Sequence, residues 1–162
     1  MTWIWWAPLG AAILHIVEEF VYPGGFADWD RRYRPAIRAS ITPRFHVVIN
    51  VALLLLCAQV GALSGLDQTP ARPVLVAAWL AVVALLFSNA VFHVLGSVRT
   101  RSRSPGVITG VAVYIPMAVI GYSYFLRTGA VPFVVAACTA LTGGSYHFWA
   151  RIVHVARARL AS

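Results

Sequence analysis

Five apolar runs account for most of this chain: residues 2–21, 45–63, 73–98, 107–126 and 132–155. Each holds about 20 residues or slightly more, enough for a helix to cross a bilayer's hydrocarbon core. Breakers and arginines bound them. Pro23-Gly24-Gly25 stops the first, Pro73 opens the third, Ser104-Pro105-Gly106 precedes the fourth and Pro132 opens the fifth. Charged residues make up only 11% of the chain, against about 25% in a soluble domain. So few charges could not cover a water-soluble surface. The pattern predicts one all-α domain over residues 1–162, an integral membrane bundle of about five transmembrane helices. Pro116 should kink the fourth. The first run lacks a basic flank and continues into His15, Glu18 and Glu19, so it reads as a retained helix rather than a signal peptide.

Net charge is +8 and every basic residue is arginine. The arginines sit between the runs, which favours contact with anionic lipid over nucleic acid. Eleven of the 13 fall in the first loop, the third loop and the C-terminal end. By the positive-inside rule this places the N-terminus outside and the C-terminus in the cytoplasm, in a multi-pass protein of the inner membrane. The loop over 23–44 mixes Trp29 and Tyr33 with arginines and reads as interfacial. Within it, Asp28 and Asp30 beside arginines read as a solvated salt-bridge cluster rather than a Mg²⁺ site. Cys57 and Cys138 lie in apolar runs with no CxxC pair, so no disulfide is expected. No nucleotide-binding glycine loop, G-x-S-x-G or Ser-His-Asp order occurs.

Ionisable side chains within membrane spans are costly and mark candidate sites. His15, Glu18 and Glu19 fall at i, i+3 and i+4 on one helical face. His46 and Asn50 form an i, i+4 pair, as do Asn89 and His93. His147, Arg151 and His154 share a face of the fifth run. Under the predicted orientation all these groups lie at one depth, in the cytoplasmic half, and predict a single polar cavity. Candidate metal ligands are His15, Glu18, Glu19, His93 and His147. Mixed histidine and carboxylate donors suit Zn²⁺ or Fe²⁺. Two carboxylates are too few for a four-carboxylate di-iron centre. Glu18 or Glu19 would act as base, with Asn89 as a catalytic or orienting group. His46, Asn50, Arg101, Tyr146 and Trp149 would contact substrate or form the rim. Blander readings stand beside these. His46 snorkels, His154 is interfacial, and Asn50 and Asn89 only pair helices.

The stretch His15-Ile16-Val17-Glu18-Glu19 resembles the signature of the bacterial family of small membrane proteins named for H-x-x-E-E. Asn89-x-x-x-His93 followed by Ser104-Pro105-Gly106 is similar to that family too, as is the late histidine of Gly143-Gly144-Ser145-Tyr146-His147. The resemblance implies a fold and a site location but no reaction. Glu18-Glu19 and His46-x-x-x-Asn50 also resemble motifs of prenyl-endopeptidase-type membrane proteases, without the arginine expected after the glutamate pair. A likeness to sterol-isomerase-like proteins is compositional. Three functions remain open. One is a metal-dependent membrane enzyme acting on a hydrophobic, lipid-like substrate. Another is a metal-free acid–base isomerase or cyclase of an isoprenoid-like substrate, with aromatic faces stabilising a carbocation. The third is a non-catalytic proton- or ion-handling subunit. A homo-oligomer is compatible with each.

Overall fold

A computed structural model describes residues 3–66 and 72–160, and among these the regular structure is helical throughout. A 3₁₀ turn, Trp3–Trp6, leads into α1, Ala7–Phe20. The expected start of the first run at Thr2 lies outside the described residues. A short helix α2, Phe26–Tyr33, and a 3₁₀ segment, Pro35–Ser40, follow. Then come α3 (Pro43–Leu66), α4 (Arg72–Thr100), α5 (Val107–Arg127), α6 (Phe133–Gly144) and α7 (Tyr146–Leu160).

Among the described residues, three stretches are long and apolar enough to cross a membrane: Pro43–Ser64, Arg72–Thr100 and Val107–Arg127. Their outward faces carry exposed valines, leucines and isoleucines, including Val47, Val51 and Leu55 on α3 and Val119 and Ile120 on α5. Water disfavours such a surface and lipid accepts it. The two flanking runs differ from expectation. The first is a 14-residue α1 after its 3₁₀ turn. The last divides at Ser145 rather than continuing through 132–155. Gly143 and Gly144 weaken the helix there. The Ser145 N–H still bonds to Leu141 O at 3.0 Å, while Ser145 O accepts from Phe148 and Trp149 to start α7. The break re-aims Tyr146 and His147.

The long helix α4 is the hub, with α1, α3, α5, α6 and α7 all packed on it. Its buried side, including Val76, Trp79, Leu80, Val83 and Leu86, forms the centre of the core. Small residues bring neighbours close, as membrane packing requires. A Cβ at Gly143 would lie 2.2 Å from Ala81 O, so only glycine lets α6 approach α4 at that point. In α5 the residues Gly110–Tyr114 form a π turn just ahead of Pro116. Proline lacks the N–H that would bond to the carbonyl four residues back, and the wide turn absorbs that defect. The segment over 23–44 folds into a short helix and a 3₁₀ segment. Phe26, Trp29, Asp30 and Ile37 are buried, and the 3₁₀ segment packs on α7.

Candidate metal centre

The end of α1, the late part of α4 and the start of α5 meet at one end of the bundle. His15 and Glu19 come from α1 at i, i+4 and His93 from α4. Their ligand atoms all lie within 4.8 Å of one another. Glu19 Oε1 is 3.3 Å from His15 Nε2 and 3.1 Å from His93 Nε2. The three residues are sealed from solvent, at 1%, 5% and 0% exposure for His15, Glu19 and His93.

Hydrogen bonds behind each ring decide which atoms face the centre. Glu18 accepts the Ile108 N–H at 3.1 Å, the Thr109 N–H at 2.7 Å and the Thr109 hydroxyl at 2.7 Å. Having given its hydrogen to Glu18, Thr109 Oγ1 accepts from His15 Nδ1–H at 2.8 Å. On the other side, Ser104 Oγ lies 2.8 Å from His93 Nδ1 and 3.3 Å from Pro105 O. With both Nδ1 atoms engaged, the two rings turn Nε2 toward Glu19 Oε1. His93 Nε2 is buried and has no hydrogen-bond partner. Asn89 Nδ2 donates to His15 Nε2 at 2.8 Å. Three candidate ligand atoms thus converge in a buried place. Two ligands bound at about 2.0–2.1 Å to one tetrahedral Zn²⁺ sit about 3.3 Å apart, which matches these separations.

Gly106 makes the convergence possible. Its φ is +99°, in the left-handed region, and a Cβ there would lie 2.7 Å from His15 Cε1 and 2.8 Å from His93 Cε1. Only glycine adopts that backbone freely while leaving room for two imidazoles. The Tyr114 ring closes the side, 4.6 Å from the His15 ring.

The other expected site residues separate around this centre. Glu18 does not join the three ligand atoms. It holds the first turn of α5, with Arg103 at 3.6 Å from Oε1. Adjacent carboxylates in a membrane protein need separate sources of compensation. Glu18 has a helix N-terminus and an arginine, whereas Glu19 needs a proton on a neighbouring imidazole or a cation between them. His147 also stands one step away. Its Nε2 donates to Asn89 Oδ1 at 3.2 Å, and its ring stacks on Phe92 at 4.6 Å. Asn89 therefore links His147 to His15.

A cavity of about 300 Å³ opens beside the centre. His15, Glu19, His46, Asn50, Asn89, Tyr146 and His147 line it. Its remaining wall is mostly apolar, with Ile49, Leu53, Leu56 and Leu85. His154 is buried rather than interfacial and hydrogen-bonds Ser40 across the fold at 2.8 Å. Trp149 is 60% exposed and does not line the cavity, which removes it from the expected substrate contacts. Arg101 is exposed in the turn after α4, and the arginine beside the centre is Arg103. Asp28 makes an exposed pair with Arg31 at 3.1 Å. Asp30 is fully buried against Arg34, with His46 Nε2 at 3.9 Å. Sequence reading missed Ser104, Thr109, Arg103 and Arg34. Ser104 was within reach, since Ser104-Pro105-Gly106 stood out as a motif, but its partner was not.

A family model described as a protein of unknown function with an HXXEE motif matches residues 5–121. That span holds α1 through most of α5, and with them His15, Glu19, His93, Ser104, Gly106 and Thr109. No curated protein and no solved structure matches the chain.

Proposed function

We propose that this chain, which belongs to the family of proteins of unknown function with an HXXEE motif, is a membrane-embedded metalloenzyme. His15, Glu19 and His93 would hold a Zn²⁺ or Fe²⁺ ion, and the substrate would be a hydrophobic, lipid-like molecule in the adjoining cavity. One observation carries the reading. Two imidazole Nε2 atoms and a carboxylate oxygen face one another, buried, 3.1–3.3 Å apart along both contacts to Glu19. A cation seated among them would neutralise the buried carboxylate and take both nitrogens as ligands.

A bound ion would supply Lewis acidity and make a coordinated water acidic near neutral pH. The protein's own groups have distinct tasks. Thr109 and Ser104 hold the Nδ1 protons and so fix the tautomers. Asn89, turned about its amide, would present Oδ1 to the ion and Nδ2 to His147. Glu19 has a second oxygen for accepting a proton on the substrate side. The apolar wall holds a chain and keeps bulk water away.

In the arrangement we propose, the Trp3–Trp6 turn with α1, and α6 with α7, complete five passes through an inner membrane. The arginine alternation supports an external N-terminus and a cavity in the cytoplasmic half. A metal-free acid–base isomerase would use the same three groups, with Glu19 sharing a proton with one imidazole.

Elemental analysis separates the two readings. Protein purified in detergent without chelator should carry about one equivalent of a transition metal. H15A and H93A should lose it and remain folded, while H147A should keep it. A wild-type protein that is metal-free, and takes up neither Zn²⁺ nor Fe²⁺ on titration, overturns the metal reading in favour of acid–base chemistry.

A further inference from the structure

A second cavity, of about 700 Å³, lies against the first. Arg34, Phe92 and His147 line both and so form the wall they share. The Arg34 guanidinium lies over the Phe92 ring at 5.0 Å, and the His147 ring stacks on Phe92 at 4.6 Å with an interplanar angle of 7°. The second cavity differs sharply from the first in charge. Arg34, Arg99, Arg151 and Arg159 line it with Tyr33, and no acidic side chain among the described residues does. Asp30 compensates Arg34 from outside the lining, and Arg99 donates to the Tyr33 hydroxyl at 3.4 Å. Beyond the Arg34–Asp30 pair, Arg99 and Arg151 add two positive charges to one concavity, which favours an anion there. Their planar forks fit phosphate oxygens.

We infer that the two cavities together form one site for an anionic amphiphile, a single-chain molecule bearing a phosphate or diphosphate headgroup. Arg34, Arg99 and Arg151 hold the headgroup. The apolar chain passes the Phe92 wall into the smaller cavity, where it lies beside His15 and Glu19. The inference names the substrate class of the proposed metal site and rests on that reading only for the reacting end. A headgroup held at the arginines fixes how far along the chain that end lies.

Binding tests this independently of metal. Purified protein in a neutral maltoside detergent is titrated with tetradecyl phosphate, tetradecanol and inorganic phosphate. The alkyl phosphate should bind at least about tenfold more tightly than either of the others, a difference of about 1.4 kcal/mol. R99Q/R151Q should lose about that factor, and wild-type protein stripped of metal by a chelator should bind the alkyl phosphate as the untreated protein does. A diazirine at the chain end should crosslink the wild-type protein at Leu53, Leu56 or Leu85, which needs no variant to fold. Equal binding of tetradecanol removes the headgroup site. Equal binding of inorganic phosphate shows a free-anion site and removes the amphiphile. Crosslinks confined to the outer faces of α3 and α5 remove the chain's path. Metal loss with alkyl phosphate binding intact overturns the metal reading alone, and bound metal without headgroup preference overturns this inference alone.

Discussion

Ser104 and Thr109 show how a site depends on groups that never touch its centre. Each accepts the Nδ1 proton of one imidazole at 2.8 Å and leaves the opposite nitrogen to face Glu19. Removing such a partner frees the ring to change tautomer or rotate. S104A and T109V should each weaken metal binding by about 10- to 100-fold, read by competition with a coloured chelator, with the helical content unchanged. Unaltered affinity in both variants would mean that the rings are positioned by packing alone. The histidines and Glu19 were legible in advance because an ionisable residue in an apolar run stands out against its neighbours. Thr109 did not, because threonine is cheap in helices and loops alike, and its role exists only once α5 docks on α1.

Among the helices, the junction of α1 with α5 depends on Glu18. The helix begins with two free N–H groups, at Ile108 and Thr109, and Glu18 satisfies both from another helix. A carboxylate at that place also opposes the positive end of the helix dipole. E18A should lower stability by about 1–2 kcal/mol, measured as a lower melting temperature in detergent. The purified variant should still hold its metal, if more weakly. Complete metal loss with unchanged melting would instead make Glu18 a ligand. Along one helical face of H-x-x-E-E the first glutamate caps α5 and the second joins His15 and His93 in the group that could hold a metal. Spacing alone could not separate them, since both sit within one turn of His15.

The assembled bundle raises the question of its setting. Its outer faces are apolar along α3 and α5, and Arg34, Arg99, Arg151 and Arg159 line one cavity. Reporter fusions at residue 162 should report the cytoplasm, and fusions in the loop between α3 and α4 the outside. A cytoplasmic signal from the α3–α4 loop would invert the bundle and place the arginine-lined cavity at the outer leaflet.

Helical class, three apolar stretches long enough to cross a membrane, and His15, Glu19 and His93 as residues that could hold a metal were legible in the order of residues. Each follows from local chemistry: the length an apolar run must have, the cost of an ionisable group in lipid, and the helical spacing that puts His15 and Glu19 on one face. The division of the last run at Ser145, the burial of the 23–44 segment and the choice of Glu19 over Glu18 were decided by packing between distant elements. So was His147's place one step outside the centre. These depend on where α4 meets α1, α5 and α7. A contact between His15 and Thr109, 94 positions apart, exists only after the chain has folded. Spacing along one helix cannot reveal which of two adjacent carboxylates its neighbour will claim.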